Sequence, residues 1–231
     1  MSDDAAIGQH PDEYPVTFDV EPQLTERNRL TVAFRIILAI PHLILVGGPG
    51  VAVGGGAGFF WRMNDNGWRT GGGFSGEGLI GLAAFVAAII AWFAIVFSGN
   101  HPRGIWDFAR YFMRWRARAI AYMALLRDEY PPFGGESAYP VTYTVEYPEA
   151  ARDRLSVGLR LIYAIPHAVV LFFLGIAWFI TAVIAWFAIL FTGSYPEGLY
   201  RFGVGYLRWV VRFDSYLLLM RDEYPPFSFA P

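Results

Sequence analysis

Arg29-Leu30-Thr31-Val32-Ala33-Phe34-Arg35-Ile36-Ile37-Leu38-Ala39-Ile40-Pro41-His42 is an apolar stretch with an arginine inside it and a Pro-His pair closing it. It returns as Arg154-Leu155-Ser156-Val157-Gly158-Leu159-Arg160-Leu161-Ile162-Tyr163-Ala164-Ile165-Pro166-His167, identical at nine of fourteen positions. A long segment that recurs in this way marks a repeated structural unit. Working outward from it, the unit reads as a membrane hairpin made twice.

The composition agrees. The 231 residues are 55% hydrophobic and only 16% charged, with mean hydropathy +0.36. The apolar residues fall in blocks. Aromatics reach 18%, which suits rings at a membrane–water interface. There is no cysteine, so disulfides and thiolate chemistry are excluded. All 18 basic residues are arginine.

In chain order, residues 1–13 are polar and acidic and read as a loosely held tail without the features of a signal peptide. Insertion is then expected to start from the first internal apolar segment. Repeat 1 occupies 14–133 and repeat 2 occupies 139–227. Each opens on alternating residues, Tyr14–Glu21 and Tyr139–Glu146, which is strand periodicity. Apolar helices follow at about 30–46 and 79–97, then at about 155–173 and 175–192. In repeat 1 they are separated by residues 47–78, which hold 13 of the 25 glycines and read as an exposed loop. In repeat 2 a tight turn is expected at Leu174-Gly175. Pro41 is expected to kink its helix. Arginine-bearing amphipathic helices, about 102–126 and 196–220, read as lying in the membrane interface. Arg127-Asp128-Glu129-Tyr130-Pro131-Pro132-Phe133 closes the first unit and returns unchanged as residues 221–227.

The fold expected from this pattern is an all-α membrane protein with four transmembrane helices in two tandem helical hairpins. Each hairpin has a cytoplasmic β-strand before it and an amphipathic interfacial helix after it. The two strands are expected to pair into a small sheet. Fourteen of the 18 arginines fall on the side of the strands and termini. The positive-inside rule makes that side cytoplasmic and the chain a multi-pass plasma-membrane protein.

The Tyr-Pro strand, the Arg…Ile-Pro-His helix, the Ala-Trp-Phe-Ala-Ile helix, the Arg/Trp amphipathic helix and the Arg-Asp-Glu-Tyr-Pro-Pro-Phe exit together resemble a bacterial membrane-protein family frequent in actinobacteria, domain of unknown function 4389. The resemblance runs from Tyr14 to Phe227. It implies membrane residence and carries no activity.

Candidate sites are few. Arg35 and Arg160 sit in equivalent places inside apolar helices, where a charge costs roughly 2.5–3.5 kcal/mol on insertion scales. They read as ligands for a lipid headgroup, or as arginines that snorkel or pair with a carboxylate. His42 and His167 read as companions in that site, or as imidazoles that satisfy carbonyls loosened by the preceding proline. Arg110, Arg114, Trp115, Arg118, Arg208, Trp209 and Arg212 read as membrane-interface residues facing anionic lipids. No catalytic signature or metal motif is present, no cofactor is expected, and no nucleic acid. The expected function is a non-catalytic scaffold or accessory subunit of a membrane complex, with a membrane-protein partner or a second copy. The alternative is a lipid-binding or transport component using Arg35 and Arg160.

Overall fold

A computed structural model describes residues 14–51, 78–135 and 137–231. The expected N-terminal tail and most of the expected glycine-rich loop lie outside the described residues. In chain order the elements are β1 (Val16–Val20), α1 (Arg29–Ala33), α2 (Arg35–Val46), α3 (Gly78–Ser98), α4 (Arg103–Met123), β2 (Val141–Val145), α5 (Arg154–Gly158), α6 (Arg160–Thr192) and α7 (Glu197–Leu217).

The two strands pair as expected. Val16, Phe18 and Val20 point inward along β1, and Val141, Tyr143 and Val145 do so along β2. The ladder is antiparallel: Val16 faces Val145, Phe18 faces Tyr143 and Val20 faces Val141. Phe18 and Tyr143 are also equivalent positions in the repeat. The register is therefore its own mirror image, and a pseudo-two-fold axis passes through the Phe18–Tyr143 pair.

The ribbon packs on α4 and α7, and these pack on the long apolar helices. The amphipathic helices are thus a middle layer between the ribbon and the long apolar helices. Every residue of α7 from Gly203 to Tyr216 is buried. The reason is that the ribbon and the C-terminal tail cover the polar face that periodicity assigns to solvent or lipid headgroups.

The hairpin of repeat 2 is absent. α6 runs unbroken for 33 residues through Leu174-Gly175, about 50 Å at 1.5 Å per residue. Nothing at Leu174-Gly175 forces a turn, and one glycine costs a helix only about 1 kcal/mol. Repeat 1 has the same helix, interrupted. α2 and α3 contain 12 and 21 residues, together the length of α6. Gly78 starts α3 directly against the backbone of Leu45 and Gly47. Arg35, Ala39, His42 and Val46 form the buried stripe of α2, as Arg160, Ala164, His167 and Leu171 do in α6, and Gly81, Ala84, Ala88, Ala91 and Ile95 continue it along α3. The extra segment of repeat 1 is an insertion into a helix. Two helices, Gly78–Ser98 and Arg160–Thr192, are long and apolar enough to cross a membrane. Among the described residues the expectation of four spanning helices is corrected to two helices of spanning length.

Asn28 and Asp153 cap the short helices α1 and α5, which lead into α2 and α6, by accepting two backbone N–H groups each. Pro41 and Pro166 stay inside helix; the irregularity falls seven residues earlier, at Phe34 and Leu159 (φ −95° at both). Each long helix begins where the other ends. Trp92 Nε1–H donates to the Val157 carbonyl (3.0 Å) and Trp186 Nε1–H to that of Val32 (2.9 Å). The guanidinium of Arg154 lies over Gly99, and that of Arg29 over Gly193. Both glycines hold a positive φ that ends the helix, and a Cβ there would crowd the arginine.

A single insertion into a helix predicts that it is removable. A chain lacking residues 47–77, with Arg116→Val and Asp214→Ile restoring the residue types of the other copy, is expected to fold with a melting temperature at least equal to the parent's in the same detergent. Loss of cooperative unfolding by circular dichroism would refute the interrupted-helix reading.

Candidate functional site

The Arg-Asp-Glu-Tyr-Pro-Pro-Phe exits organise two equivalent clusters. α4 and α7 end on Leu125 (φ 63°) and Leu219 (φ 61°), a left-handed conformation that costs an L-residue roughly 1–2 kcal/mol. The turn is closed by Leu126 N–H to the Ala121 carbonyl and Met220 N–H to that of Ser215. It delivers Asp128 and Asp222 to the starts of the long helices.

Asp128 accepts from two arginines. Arg27 binds it through Nε (3.0 Å) and Nη2 (2.7 Å), and Arg35 through Nη2 (2.8 Å). The Asn28 amide adds a fourth bond (2.8 Å). Asp222 repeats the pattern with Arg152 (2.7 and 2.5 Å), Arg160 (2.8 Å) and the Asp153 amide (3.2 Å). Arg35 Nη1 reaches the Arg127 carbonyl and Arg160 Nη1 those of Tyr216 and Arg221, while Arg35 Nε, Arg160 Nε and Arg152 Nη1 are buried without a hydrogen-bond partner among the described residues. The two guanidiniums lie over the rings of Tyr122 and Tyr216, at 3.9 and 4.2 Å from the centroids. Arg35 and Arg160 are the first residues of α2 and α6, so neither charge is carried deep along an apolar helix.

Burial alone would raise the Asp128 and Asp222 carboxyls. The arginine hydrogen bonds, the capping amides and the arginine charges outweigh it and hold both below the ordinary carboxylate value.

His42 and His167 are fully buried. Each Nδ1 accepts a tryptophan N–H, from Trp115 (3.1 Å) and Trp209 (3.0 Å). An indole can only donate, so each neutral imidazole carries its proton on Nε2. The rings stack on Phe133 (4.8 Å) and Phe227 (4.0 Å), with Tyr130 and Tyr224 tilted against them (5.0 and 4.7 Å). The histidines therefore pin the exit motif to the long helix; they do not bond the carbonyls near the proline. Each cluster unites Arg35 with His42, or Arg160 with His167, only through the exit motif.

Of the seven residues expected at the membrane interface, Trp115, Arg118, Arg208, Trp209 and Arg212 are buried. Arg208 donates to the carbonyls of Phe18 (3.0 Å) and Phe229 (2.8 Å), and Arg212 to those of Val16 (3.4 Å) and Ala230 (2.9 Å). Only Arg110 and Arg114 remain part-exposed.

One site escaped the sequence reading. Arg116 and Asp214 form an ion pair between α4 and α7 (3.2 Å), both side chains fully buried. Arg116 also donates to the carbonyls of Val46 (2.8 Å) and Gly50. It satisfies carbonyls released where the long helix is interrupted. The signal was in the alignment: the repeat places Val210 opposite Arg116 and Ile120 opposite Asp214, and α6 has no interruption to cap.

Among the described residues, no three His, Asp or Glu side chains gather as metal ligands. A family model described as Domain of unknown function (DUF4389) matches residues 77–134 and 154–228. Its first segment begins where the long helix resumes after the insertion. No curated protein and no solved structure matches the chain.

Asp128→Asn leaves Arg27 and Arg35 buried without a counter-charge and is expected to cost about 3 kcal/mol in denaturant unfolding. Asp222→Asn is expected to cost less, its side chain being 25% exposed against 10% for Asp128. Both carboxyls titrate lower in the folded chain. Their contribution is complete above the ordinary value of 3.8 and is lost as pH falls through the folded values. Unfolding midpoints measured from pH 6 to 3 should drop, and drop less in Asp128→Asn.

Proposed function

We propose that this chain, which belongs to the DUF4389 family, is a non-catalytic membrane module that rests in one leaflet and presents its polar face to a membrane complex as a scaffold or accessory subunit. The observation that carries the reading is the one-sidedness of the long helices. From Leu161 to Phe191 every exposed residue is apolar except Tyr163, and the exposed residues from Ile36 to Val46 and from Leu79 to Phe97 are apolar throughout. The opposite surface carries the ribbon, with Asp19, Thr142 and Thr144 exposed.

Three arguments favour lying in the leaflet over crossing it. First, about 50 Å of helix fits a hydrocarbon core of about 30 Å only at a tilt above 50°, beyond the usual range of roughly 0–40°. Second, a straight crossing would place the interruption after Val46, about 18 Å along the helix, inside the hydrocarbon, where broken helices need full burial in protein, and Gly48, Pro49 and Gly50 are only half-buried. Third, the pseudo-two-fold axis runs through the ribbon. If that axis lay in the membrane plane, the ribbon's polar face would meet lipid at mid-depth. With the axis along the membrane normal, both clusters sit at one level and the ribbon faces water.

The absence of catalysis is part of the proposal. Its support is that the arginines and carboxylates of both clusters are bound to one another and the histidines are buried against tryptophan and the aromatic exit residues. The lipid-headgroup reading of Arg35 and Arg160 has less support for the same reason, because both guanidiniums are bound to Asp128 and Asp222.

Single cysteines test the reading in a chain that has none of its own. Ala151→Cys and Glu197→Cys flank the two ends of α6, and Phe179→Cys lies on its apolar face. In sealed vesicles the first two should react with an impermeant maleimide from the same side, and the third should react from neither. Reaction of positions 151 and 197 from opposite sides would overturn the proposal.

A further inference from the structure

The second copy shows what the two arginines on the flank of the middle layer require. Arg208 and Arg212, one helical turn apart on α7, are both satisfied by carbonyls of β1 and of the C-terminal tail. Their equivalents on α4 are Arg114 and Arg118. Arg118 is only 7% exposed, yet its buried Nε and Nη1 meet no acceptor among the described residues. Burial and the neighbouring Arg114 charge both work against its protonated state. A buried cation without a counter-charge is costly, and a guanidinium offers the planar fork that suits an oxyanion.

Among the described residues no carboxylate pairs with Arg114 or Arg118. Gly135 closes over Arg114, its missing Cβ only 3.2 Å from the arginine's own, and Gly134 lies against the Tyr111 hydroxyl. Exposed Tyr130 and Phe133 stand on the same exit segment. We infer that Arg118, with Arg114 one turn away, binds a phosphate-type oxyanion on the flank of α4. The same chemistry is supplied by free phosphate and by a phospholipid headgroup, and the site is absent from the second copy because protein carbonyls fill it there. This inference stands apart from the orientation of the long helices in the leaflet.

The test compares wild type, Arg118→Met and Arg212→Met. Detergent-solubilised protein is melted across a titration of inorganic phosphate at constant ionic strength, and protein extracted from membranes is weighed by native mass spectrometry. Wild type should show either a saturable rise in melting temperature with phosphate or a retained phospholipid. The first result identifies free phosphate as the source, and the second a headgroup. In phosphate-free buffer Arg118→Met should melt no lower than wild type and should lose the response. Arg212→Met should melt lower and keep it. Wild type with neither response overturns the inference, as does a response that survives Arg118→Met, or an Arg118→Met chain that melts well below wild type without phosphate.

Discussion

Two half-buried carboxylates hold this molecule together, each gripping two buried arginines. Asp128 binds Arg27 before the long helix and Arg35 within its first turns; Asp222 does the same with Arg152 and Arg160. Each carboxylate thereby fixes three chain segments: the exit of the middle-layer helix, the approach to the long helix, and the long helix itself. Arg127 and Arg221 extend the grip by pairing with Glu129 and Glu223 and reaching back toward the ends of β1 and β2. A buried ion pair seldom adds much net stability over well-packed apolar residues. Its consequence here is positional, because geometry and charge leave one register for the exit motif against the long helix.

That constraint, made twice, gives the pseudo-two-fold arrangement. The ribbon pairs about its own centre, and the long helices meet end to start at both extremities. The copies differ where one long helix is interrupted, and the middle layer differs in response. Arg116 and Asp214 occupy positions that are Val210 and Ile120 across the axis. A broken helix leaves carbonyls without partners, and a buried arginine is the donor that meets them.

Much of this was legible in residue order. The repeat, the paired strands and the ends of α3 and α6 at Gly99 and Gly193 all follow from local pattern, whereas a carboxylate partner for Arg35 and Arg160 was one alternative beside a lipid headgroup and snorkelling. The continuous helix did not. A run of apolar residues containing one glycine reads equally as one long helix or as two helices joined at Leu174-Gly175, and hydropathy does not separate them. The destination of Arg208 and Arg212 was also hidden. Periodicity shows that a helix has a polar stripe, but only tertiary packing shows that the stripe meets the carbonyls of Phe18, Val16 and the tail instead of lipid phosphates. The roles of His42 and His167 depended on Trp115 and Trp209, which sit 73 and 42 residues away.

The central claim is that the long helices lie within a leaflet, and helix orientation tests it most directly. The protein, isotopically labelled and reconstituted in aligned bilayers, reports the tilt of α6 through oriented-sample solid-state NMR. The account predicts an axis close to the membrane plane. A tilt of about 40° or less from the membrane normal, the range of ordinary spanning helices, would contradict it.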